Sequence, residues 1–167
     1  MQLLDGHLTV EELEAFFEAL DEIAEGTGTT VQAFDADYVV SAEHLERSLA
    51  RADRAIARGE NVARERAVEL LCYAAGRRQI NRALEMGVSE GENRAVVLVD
   101  SPSGDSGDET DAIRMLQEYV DEGAVLSVYD ETTVREFFDI GDAELDAVEG
   151  GLADLVLERV SLLDVEK

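Results

Sequence analysis

Residues 95–99 read Ala-Val-Val-Leu-Val, between Arg94 and Asp100, and this stretch decides the fold class. An uninterrupted, mostly β-branched apolar run of this length predicts a strand that is buried on both faces. Further strands are predicted at residues 1–6 and 30–34, and helical periodicity covers most of the remaining chain. The expected fold is therefore α+β: a single domain over residues 1–167, with a small mixed β-sheet of three to four strands and about six to seven helices.

Glycines and capping residues set the predicted boundaries of the helices. Thr9 is a suitable N-cap for a first helix that ends near Gly26, and Ser41 is a suitable N-cap for a second helix that ends at Gly59. Helical periodicity predicts three later helices, over residues 61–76, 78–86 and 109–120. Two or three more complete the chain, and residues 123–130 could form a short edge strand.

The chain carries an extreme acidic charge. Its 167 residues include 39 Asp and Glu against 14 Lys and Arg, a formal net charge of −25, and Lys167 is the only lysine. Self-repulsion of this size destabilises a folded domain in dilute buffer and is screened at molar salt, where the Debye length is about 3 Å. We therefore expect a cytoplasmic protein from a salt-loaded cell. At the level of the whole chain, the charge argues against a basic nucleic-acid module and a polybasic membrane binder.

Composition excludes several other classes of protein. The apolar share of 46% is too high for an acidic disordered chain, and no apolar run approaches the roughly 20 residues that span a bilayer. A single cysteine, Cys72, rules out an intrachain disulfide and a multi-cysteine metal cluster. The two histidines, His7 and His44, are too few for a histidine-rich metal site, and we expect each at the surface or at a helix cap. We predict no metal, no cofactor and no membrane contact.

One short string resembles a catalytic motif. Residues 104–107 read Gly-Asp-Ser-Gly, as in the nucleophile loop of chymotrypsin-type proteases, and His44 precedes Ser106 as that family's order requires. That family folds as a pair of β-barrels, whereas this chain is predominantly helical. A solvated acidic loop is the favoured interpretation, and a small hydrolase that uses Ser106 is a third hypothesis. The sequence therefore favours a protein that is not an enzyme.

The arginines are concentrated in one part of the chain. Residues 47–94 contain ten arginines and seven carboxylates, a net charge of +3, whereas the rest of the chain is strongly acidic. Four of the arginines recur at helical spacing, within about 60° of one another on one helix face: Arg47, Arg51, Arg54 and Arg58. Arg78 and Arg82 form a second pair, four residues apart.

Two interpretations of these arginines stay open. Charged helix faces are usually solvated and paired with neighbouring acids, as Glu43 could pair with Arg47 and Glu69 with Arg66. The alternative is a site for an anion or for an RNA backbone. Arginines that scatter among carboxylate partners would favour the first interpretation, and arginines that converge on one face would favour the second.

A sequence pattern overlaps the arginine-rich window. Seven residues match a Glu-Leu-Leu-x-Tyr helix, a Gly-x-x-Gln-Ile string and an Ala-x-x-x-Gly ending, in order and spacing: Glu69, Tyr73, Gly76, Gln79, Ile80, Ala83 and Gly87. On this pattern residues 38–100 resemble the TPRKB-like small subunit of the archaeal and eukaryotic KEOPS complex. The acidic composition indicates a haloarchaeal version of that subunit, and the resemblance weakens outside this range.

The resemblance implies a noncatalytic subunit of the complex that installs threonylcarbamoyladenosine in tRNA. Members of this family bind the kinase-like ATPase of KEOPS, stimulate the complex and, in archaea, recruit tRNA through its single-stranded CCA end. The expected RNA-binding residues are Gly76, Arg77, Arg78, Gln79, Ile80, Arg82, Arg47 and Arg51. The break at Gly76 is expected to expose backbone amides at a helix N-terminus, where an anion could bind, and Ile80 is expected to offer an apolar wall or to pack.

The alternative hypothesis is a protein-only regulator of the kinase-like subunit that never contacts RNA. Its expected signature is an exposed apolar patch on the C-terminal helices, around Leu152, Leu155 and Val156, which would form the kinase-subunit interface. The expected partners are therefore the kinase-like ATPase and the CCA end of tRNA.

Overall fold

The computed structural model describes residues 1–166, which fold as two compact units. Residues 1–36 and 87–126 form a unit that contains the whole β-sheet, here called the sheet unit. Residues 37–86 and 127–166 form a second unit built from helices, here called the helical unit. The predicted α+β class is confirmed, with four strands and, among the described residues, eight α-helices.

The secondary structure alternates between the two units along the chain. In order, the elements are β1 (Gln2–Val10), α1 (Leu13–Thr27), β2 (Thr30–Asp35), α2 (Ala42–Ala57), α3 (Arg66–Ala75), α4 (Ile80–Ala83), β3 (Gly91–Asp100), α5 (Ser106–Leu116), β4 (Val120–Glu122), α6 (Glu131–Phe137), α7 (Asp142–Ala147) and α8 (Gly151–Glu166). Short 3₁₀ turns cover Ala36–Tyr38 and Leu84–Met86.

The stretch that decided the fold class lies in a central strand. The sheet order is β2-β3-β1-β4, so β3 pairs with β2 on one side and with β1 on the other. Every residue of 95–99 is fully buried, as predicted for a strand covered on both faces. All three strand pairings are antiparallel, so the sheet is antiparallel and not mixed.

The first strand does not stop at Gly6, where the sequence placed its end. A Cβ at Gly6 would lie 2.2 Å from the Asp121 carbonyl oxygen, so only glycine allows β4 to approach β1 at this point. The strand continues to Val10, and the first helix therefore has Glu12 as its N-cap, not Thr9. The edge strand is also displaced from its predicted place, since β4 precedes residues 123–130.

Helices α1 and α5 cover one face of the sheet and close the core of the sheet unit. Phe16, Leu20 and Ile23 of α1 are buried in one cluster with Leu116 of α5 and with alternate residues of β1 and β3. Helix α1 ends at Gly28, which has a left-handed φ of 67° and donates its N–H to the Ala24 carbonyl. The predicted amphipathic helix is confirmed here, with its end two residues beyond the predicted break.

The helical unit begins as predicted. The Ser41 side chain caps α2 by accepting the His44 N–H at 3.1 Å. Helix α3 starts at Arg66 and not at Asn61, and the short predicted helix over 78–86 is divided into α4 and a 3₁₀ turn. Three helices, α6 to α8, complete the chain, which is the larger of the two numbers that the sequence predicted. Within residues 1–166, no helix has the length and apolar composition required to cross a bilayer.

Candidate functional site

Helices α2 and α3 run antiparallel and carry four of the ten arginines of residues 47–94: Arg47, Arg51, Arg54 and Arg66. His44 near the start of α2 bonds to the Ala74 carbonyl near the end of α3, with 2.8 Å between Nε2 and O. Asp53 further along α2 receives a forked bond from Arg66 at the start of α3, with distances of 2.7 and 2.8 Å. Nine residues of α-helix, or about 13 Å, separate these two connections, so arginines near them lie at opposite ends of the helix pair.

The outward-facing arginines of α2 are partly paired with carboxylates. Arg47 Nη2 lies 2.8 Å from Glu43 Oε1, which confirms the predicted pairing, and both side chains are about half exposed. Arg51 Nη1 lies 2.7 Å from Asp164 Oδ2 of α8. An exposed pair within one helix contributes only a few tenths of a kcal/mol, roughly 0.3–0.5, and exchanges readily with a ligand. These two residues thus match the solvated interpretation while Arg47 stays accessible.

A second group of arginines lies at the other end of the pair. Arg54, Arg58 and Arg64 are exposed, and none of them forms an ion pair with a described residue. Arg54 and Arg58 lie in the last turn and at the C-cap of α2. Basic side chains at this position are favoured by the partial negative charge of a helix C-terminus. The arginines of α2 therefore fall into two groups. Those that are exposed and form no ion pair with residues 1–166 lie at the end of α2 that is away from Gly76.

Gly76 ends helix α3 and does not begin a helix. It adopts a left-handed conformation with φ of 61°, and its N–H donates to the Tyr73 carbonyl at 3.0 Å. The Arg77 N–H reaches back to the Cys72 carbonyl, also at 3.0 Å, which completes a Schellman motif. The predicted anion site on free amides at Gly76 is therefore wrong, because these amides already bond to carbonyls of α3.

Arg77 is also occupied within the fold. Its guanidinium donates to the Phe137 carbonyl and lies 5.2 Å from the centre of the Phe137 ring. Arg159 donates to the next two carbonyls, with Nε 3.2 Å from the Phe138 oxygen and Nη2 3.3 Å from the Asp139 oxygen. Two arginines thus bind the carbonyls at the C-terminal end of α6, and the assignment of Arg77 as an RNA donor is corrected to a structural role.

Residues 78–84, here called the 78–84 segment, are the accessible part of the predicted RNA site. Arg78, Gln79, Ile80 and Arg82 are all exposed, and Gln79 is the N-cap of α4 without a side-chain capping bond. Ile80 is 38% exposed, so it does not pack into the core. Arg82 Nη1 lies 3.3 Å from Glu85 Oε1, and both side chains are about half exposed.

A groove of about 250 Å³ lies beside this segment. It is lined by Arg82 and Glu85, by Thr133 and Glu136 of α6, and by the rings of Tyr38 and Phe137. The two rings meet edge to face, with 5.2 Å between their centres. The groove therefore combines a forked cation with an aromatic wall.

The predicted kinase-subunit interface lies in the interior of the structure. Leu152 is 7% exposed, Leu155 1% and Val156 0%, because α8 is apolar around most of its circumference. The expectation of an exposed patch on these three residues is wrong. The exposed apolar residues of α8 lie near its end, where Leu162 is 36% and Val165 80% exposed.

His44 is buried and is not the surface or capping residue that the sequence predicted. Its Nδ1 accepts the Val40 N–H at 3.3 Å, so the neutral ring donates Nε2–H to the Ala74 carbonyl. Burial lowers the pKa of His44 to about 4, and the bond to Ala74 opposes this only in part. With both nitrogens occupied, His44 has no free nitrogen to activate a serine.

The Gly-Asp-Ser-Gly string forms a helix start. Ser106 is the first residue of α5, and the N-cap Asp105 accepts the Gly107 N–H at 2.8 Å. The structure therefore gives the Ser106 hydrolase hypothesis no support. Within the described residues, no group of three or more His, Cys, Asp or Glu side chains is arranged to hold a metal ion.

Sequence reasoning missed the burial of two polar residues of α3, Glu69 and Tyr73. Glu69 is fully buried, and its Oε1 accepts the Val62 and Ala63 N–H groups at 3.0 and 2.9 Å. Tyr73 is buried and donates to the Asp164 carboxylate, which also binds Arg51. Desolvation and the Asp164 carboxylate raise the pKa of Tyr73. The available signal for Glu69 was its position between the apolar residues Val68 and Leu70 in the sequence.

Comparison with known proteins bears on the whole chain. A family model described as kinase binding protein CGI-121 matches residues 12–164, which covers most of both units. A search of curated proteins found no significant match. The family match confirms the resemblance to a TPRKB-like subunit that residues 69–87 indicated. The chain therefore belongs to the CGI-121 family of kinase-binding proteins.

Proposed function

We propose that this protein is a noncatalytic KEOPS subunit that binds the kinase-like ATPase and recruits tRNA by its CCA end for threonylcarbamoyladenosine formation. The match to a kinase-binding family over residues 12–164 is the observation that carries the kinase part. Because the match runs through both units, we also propose that they act as one domain. The acidic composition supports a cytoplasm rich in salt as its place of action.

The 78–84 segment supports the RNA part of the proposal. Single-stranded RNA ends are bound by aromatic stacking, base-edge hydrogen bonds and a few phosphate contacts. Arg78 and Arg82 offer forked donors, Gln79 offers an amide, and Tyr38 in the adjoining groove offers a ring. At high salt, where counterion release contributes little, such contacts carry more of the affinity than net charge.

The other predicted RNA residues contribute differently in this proposal. Gly76 and Arg77 shape the backbone that leads into the 78–84 segment, as their bonds to α3 and α6 indicate. Arg47 lies at the same end of the α2–α3 pair as Gly76 and can exchange Glu43 for a phosphate. Arg51 is joined to Asp164 and takes no direct part.

Exchange of Arg78 and Arg82 for Glu should weaken tRNA binding at least tenfold without loss of structure, because it inverts two exposed charges at the proposed site. The measurement is a filter-binding or anisotropy titration in molar KCl, with whole tRNA and with tRNA that lacks its CCA end. We expect the wild type to prefer the whole tRNA and the double variant to lose that preference.

A charge-matched control is provided by the far end of the helix pair. The double variant Arg54→Glu, Arg58→Glu makes the same change in net charge on exposed residues about 13 Å or more away along α2. An equal loss with this control would mean that only total charge matters, and equal affinity of the wild type for both RNAs would contradict recruitment by the CCA end.

A second candidate function is a protein-only regulator of the kinase-like subunit. It is favoured by the carboxylate partners of Arg47, Arg51 and Arg82, which match the solvated interpretation of these residues. This function predicts a stable complex with the kinase-like subunit and no measurable affinity for either RNA in the titration above.

The end of α8 is the surface that we propose for the kinase-like subunit, in place of the buried residues named earlier. Leu162 and Val165 are three residues apart on a helix, so they share one face, and both are exposed. Apolar anchors of this kind supply much of the affinity in protein interfaces.

Exchange of Leu162 and Val165 for Asp should weaken binding to the kinase-like subunit at least tenfold, because two exposed apolar contacts are replaced by charges. Isothermal titration calorimetry in molar KCl measures the affinity, and circular dichroism checks the fold. The control exchanges Met115 and Val128, two other exposed apolar residues, for Asp and should leave the affinity unchanged. Unchanged affinity in the α8 variant would place the interface elsewhere.

A further inference from the structure

A groove of about 700 Å³ lies within the sheet unit, away in the sequence from every residue assigned above to RNA or kinase binding. Its volume falls in the range of roughly 300–1,000 Å³ that is typical of binding sites. The residues that matter for its chemistry are His7 and Thr9 of β1, Glu92 and Arg94 of β3, and Tyr119 and Asp121 at the outer edge.

The strand register defines the floor of this groove. His7 pairs with Arg94 on one side and with Asp121 on the other, and residues that pair directly share one face of a sheet. Thr9 and Glu92 form the next row. His7 and Thr9 are exposed and alternate with buried Leu8 and Val10, so this part of the sheet presents a polar row to solvent.

The edge of β1 is incomplete beside the groove. Its pairing with β4 stops where Leu8 meets Val120, while β1 itself continues to Val10. Tyr119 instead turns back toward α5, with its N–H on the Leu116 carbonyl at 2.9 Å. The last residues of β1 therefore have no β4 partner on that side, which leaves room for an added extended segment.

An aromatic wall borders this edge. The Tyr119 ring is 41% exposed and meets the buried Phe16 ring edge to face, at 6.1 Å between centres. Phe17, 40% exposed, lies next to Phe16 with 6.3 Å between their rings. Accessible rings that are fixed by buried neighbours lose little entropy on binding, which suits them as contact residues.

Buried Asn93 fixes the β3 side of the groove. Its Oδ1 accepts the Ser89 N–H at 3.0 Å, and its Nδ2 donates to the Ser89 and Gly91 carbonyls at 2.8 and 3.1 Å. These bonds hold the turn that leads into β3. The groove is therefore preformed, and a ligand would meet a rigid wall.

The charge of the groove selects its occupant. Glu92, Glu118 and Asp121 line it against one arginine. This charge disfavours a nucleic acid and a second copy of the chain, and it favours a basic partner.

We propose that the groove docks an extended basic segment of a partner protein beside the free edge of β1, with an arginine over Tyr119 and paired with Glu92 or Asp121. The ring supplies a cation–π contact, and the carboxylates supply forked ion pairs, which are the interactions that an arginine uses best. Backbone bonds to Thr9 fix the position of the segment. This inference is independent of the proposed RNA function.

The probe is a fluorescein-labelled peptide of alternating arginine and leucine, titrated with the full chain in KCl and followed by anisotropy. The triple variant Glu92→Gln, Tyr119→Leu, Asp121→Asn should bind at least tenfold more weakly than the wild type. The double variant Glu14→Gln, Asp21→Asn also removes one glutamate and one aspartate charge, but from exposed positions of α1. It should bind as the wild type does. An amide NMR titration of the wild type should shift residues 7–10 and 91–94.

Four outcomes would overturn the proposal. No saturable binding of the peptide, an equal loss with the α1 control, or NMR shifts confined to other residues would each show that the groove does not select a basic segment. Displacement of the peptide by a uridine oligonucleotide would assign the groove to nucleic acid instead. The NMR arm uses only the wild type and stands even where the triple variant fails to fold.

Discussion

Exchange of Glu69 for Ala should lower the free energy of unfolding by about 2–4 kcal/mol. Glu69 is fully buried in α3, and one of its carboxylate oxygens accepts the N–H groups of Val62 and Ala63. Alanine leaves both N–H groups without this acceptor; a buried unsatisfied donor such as the Ala63 N–H costs about 1–3 kcal/mol, and the partly buried Val62 N–H costs less. Urea denaturation in molar KCl, followed by circular dichroism, measures the change.

Two variants separate this account from a general effect of losing a carboxylate. Glu69→Gln keeps an oxygen at the same distance and should lose clearly less stability than Glu69→Ala. Glu65→Ala removes an exposed carboxylate one turn earlier, where the side chain makes no capping bond, and should change stability by less than about 0.5 kcal/mol. Equal losses in the Glu69→Ala and Glu65→Ala variants would contradict the role assigned to Glu69.

The protein should lose about 3 kcal/mol of stability between pH 7 and pH 4 through His44 alone. The folded state holds the His44 pKa at about 4, below the ordinary value of 6.5, so the unfolded chain takes up its proton first as the pH falls. The contribution of neutral His44 is thus complete above pH 6.5 and is lost as the pH falls toward 4.

The comparison with a variant isolates this residue from the many carboxylates, which titrate in the same range. Gln at position 44 keeps a donor for the Ala74 carbonyl and cannot protonate. The free energy of unfolding of the wild type, relative to that of the His44→Gln variant, should therefore fall by about 3 kcal/mol over this pH range. A flat difference between wild type and His44→Gln would contradict a buried neutral histidine.

The parts of the fold that depend on local sequence were predictable. The apolar run at 95–99 becomes a strand buried on both faces, and Ser41 caps a helix, because burial pattern and capping act over a few neighbouring residues. Gly6 was misinterpreted as a strand end. A glycine is required at this position because the Asp121 carbonyl, which is far away in sequence, lies too close for a side chain. Its local sequence does not contain that neighbour.

The residues of the candidate site likewise include some whose role followed from local sequence and others whose role depends on distant contacts. The outward face of the α2 arginines followed from helical spacing, and the Glu43–Arg47 pair followed from an i, i+4 separation. Arg77 looked like its neighbour Arg78 in the sequence, and only tertiary contacts with Phe137 distinguish the two. Leu152, Leu155 and Val156 had the spacing of an amphipathic face, but α8 is buried on several sides, which periodicity does not reveal.

The arginines that bind the end of α6 set a limit on conservative exchange. Arg159 divides its guanidinium between two backbone carbonyls and both oxygens of Glu144, at 2.8 and 2.7 Å for the latter. A lysine ammonium has the same charge but is a single point, so it cannot serve four acceptors spread around a planar fork. Position 159 therefore requires the planar guanidinium of an arginine, and a lysine at this position would lose most of these bonds.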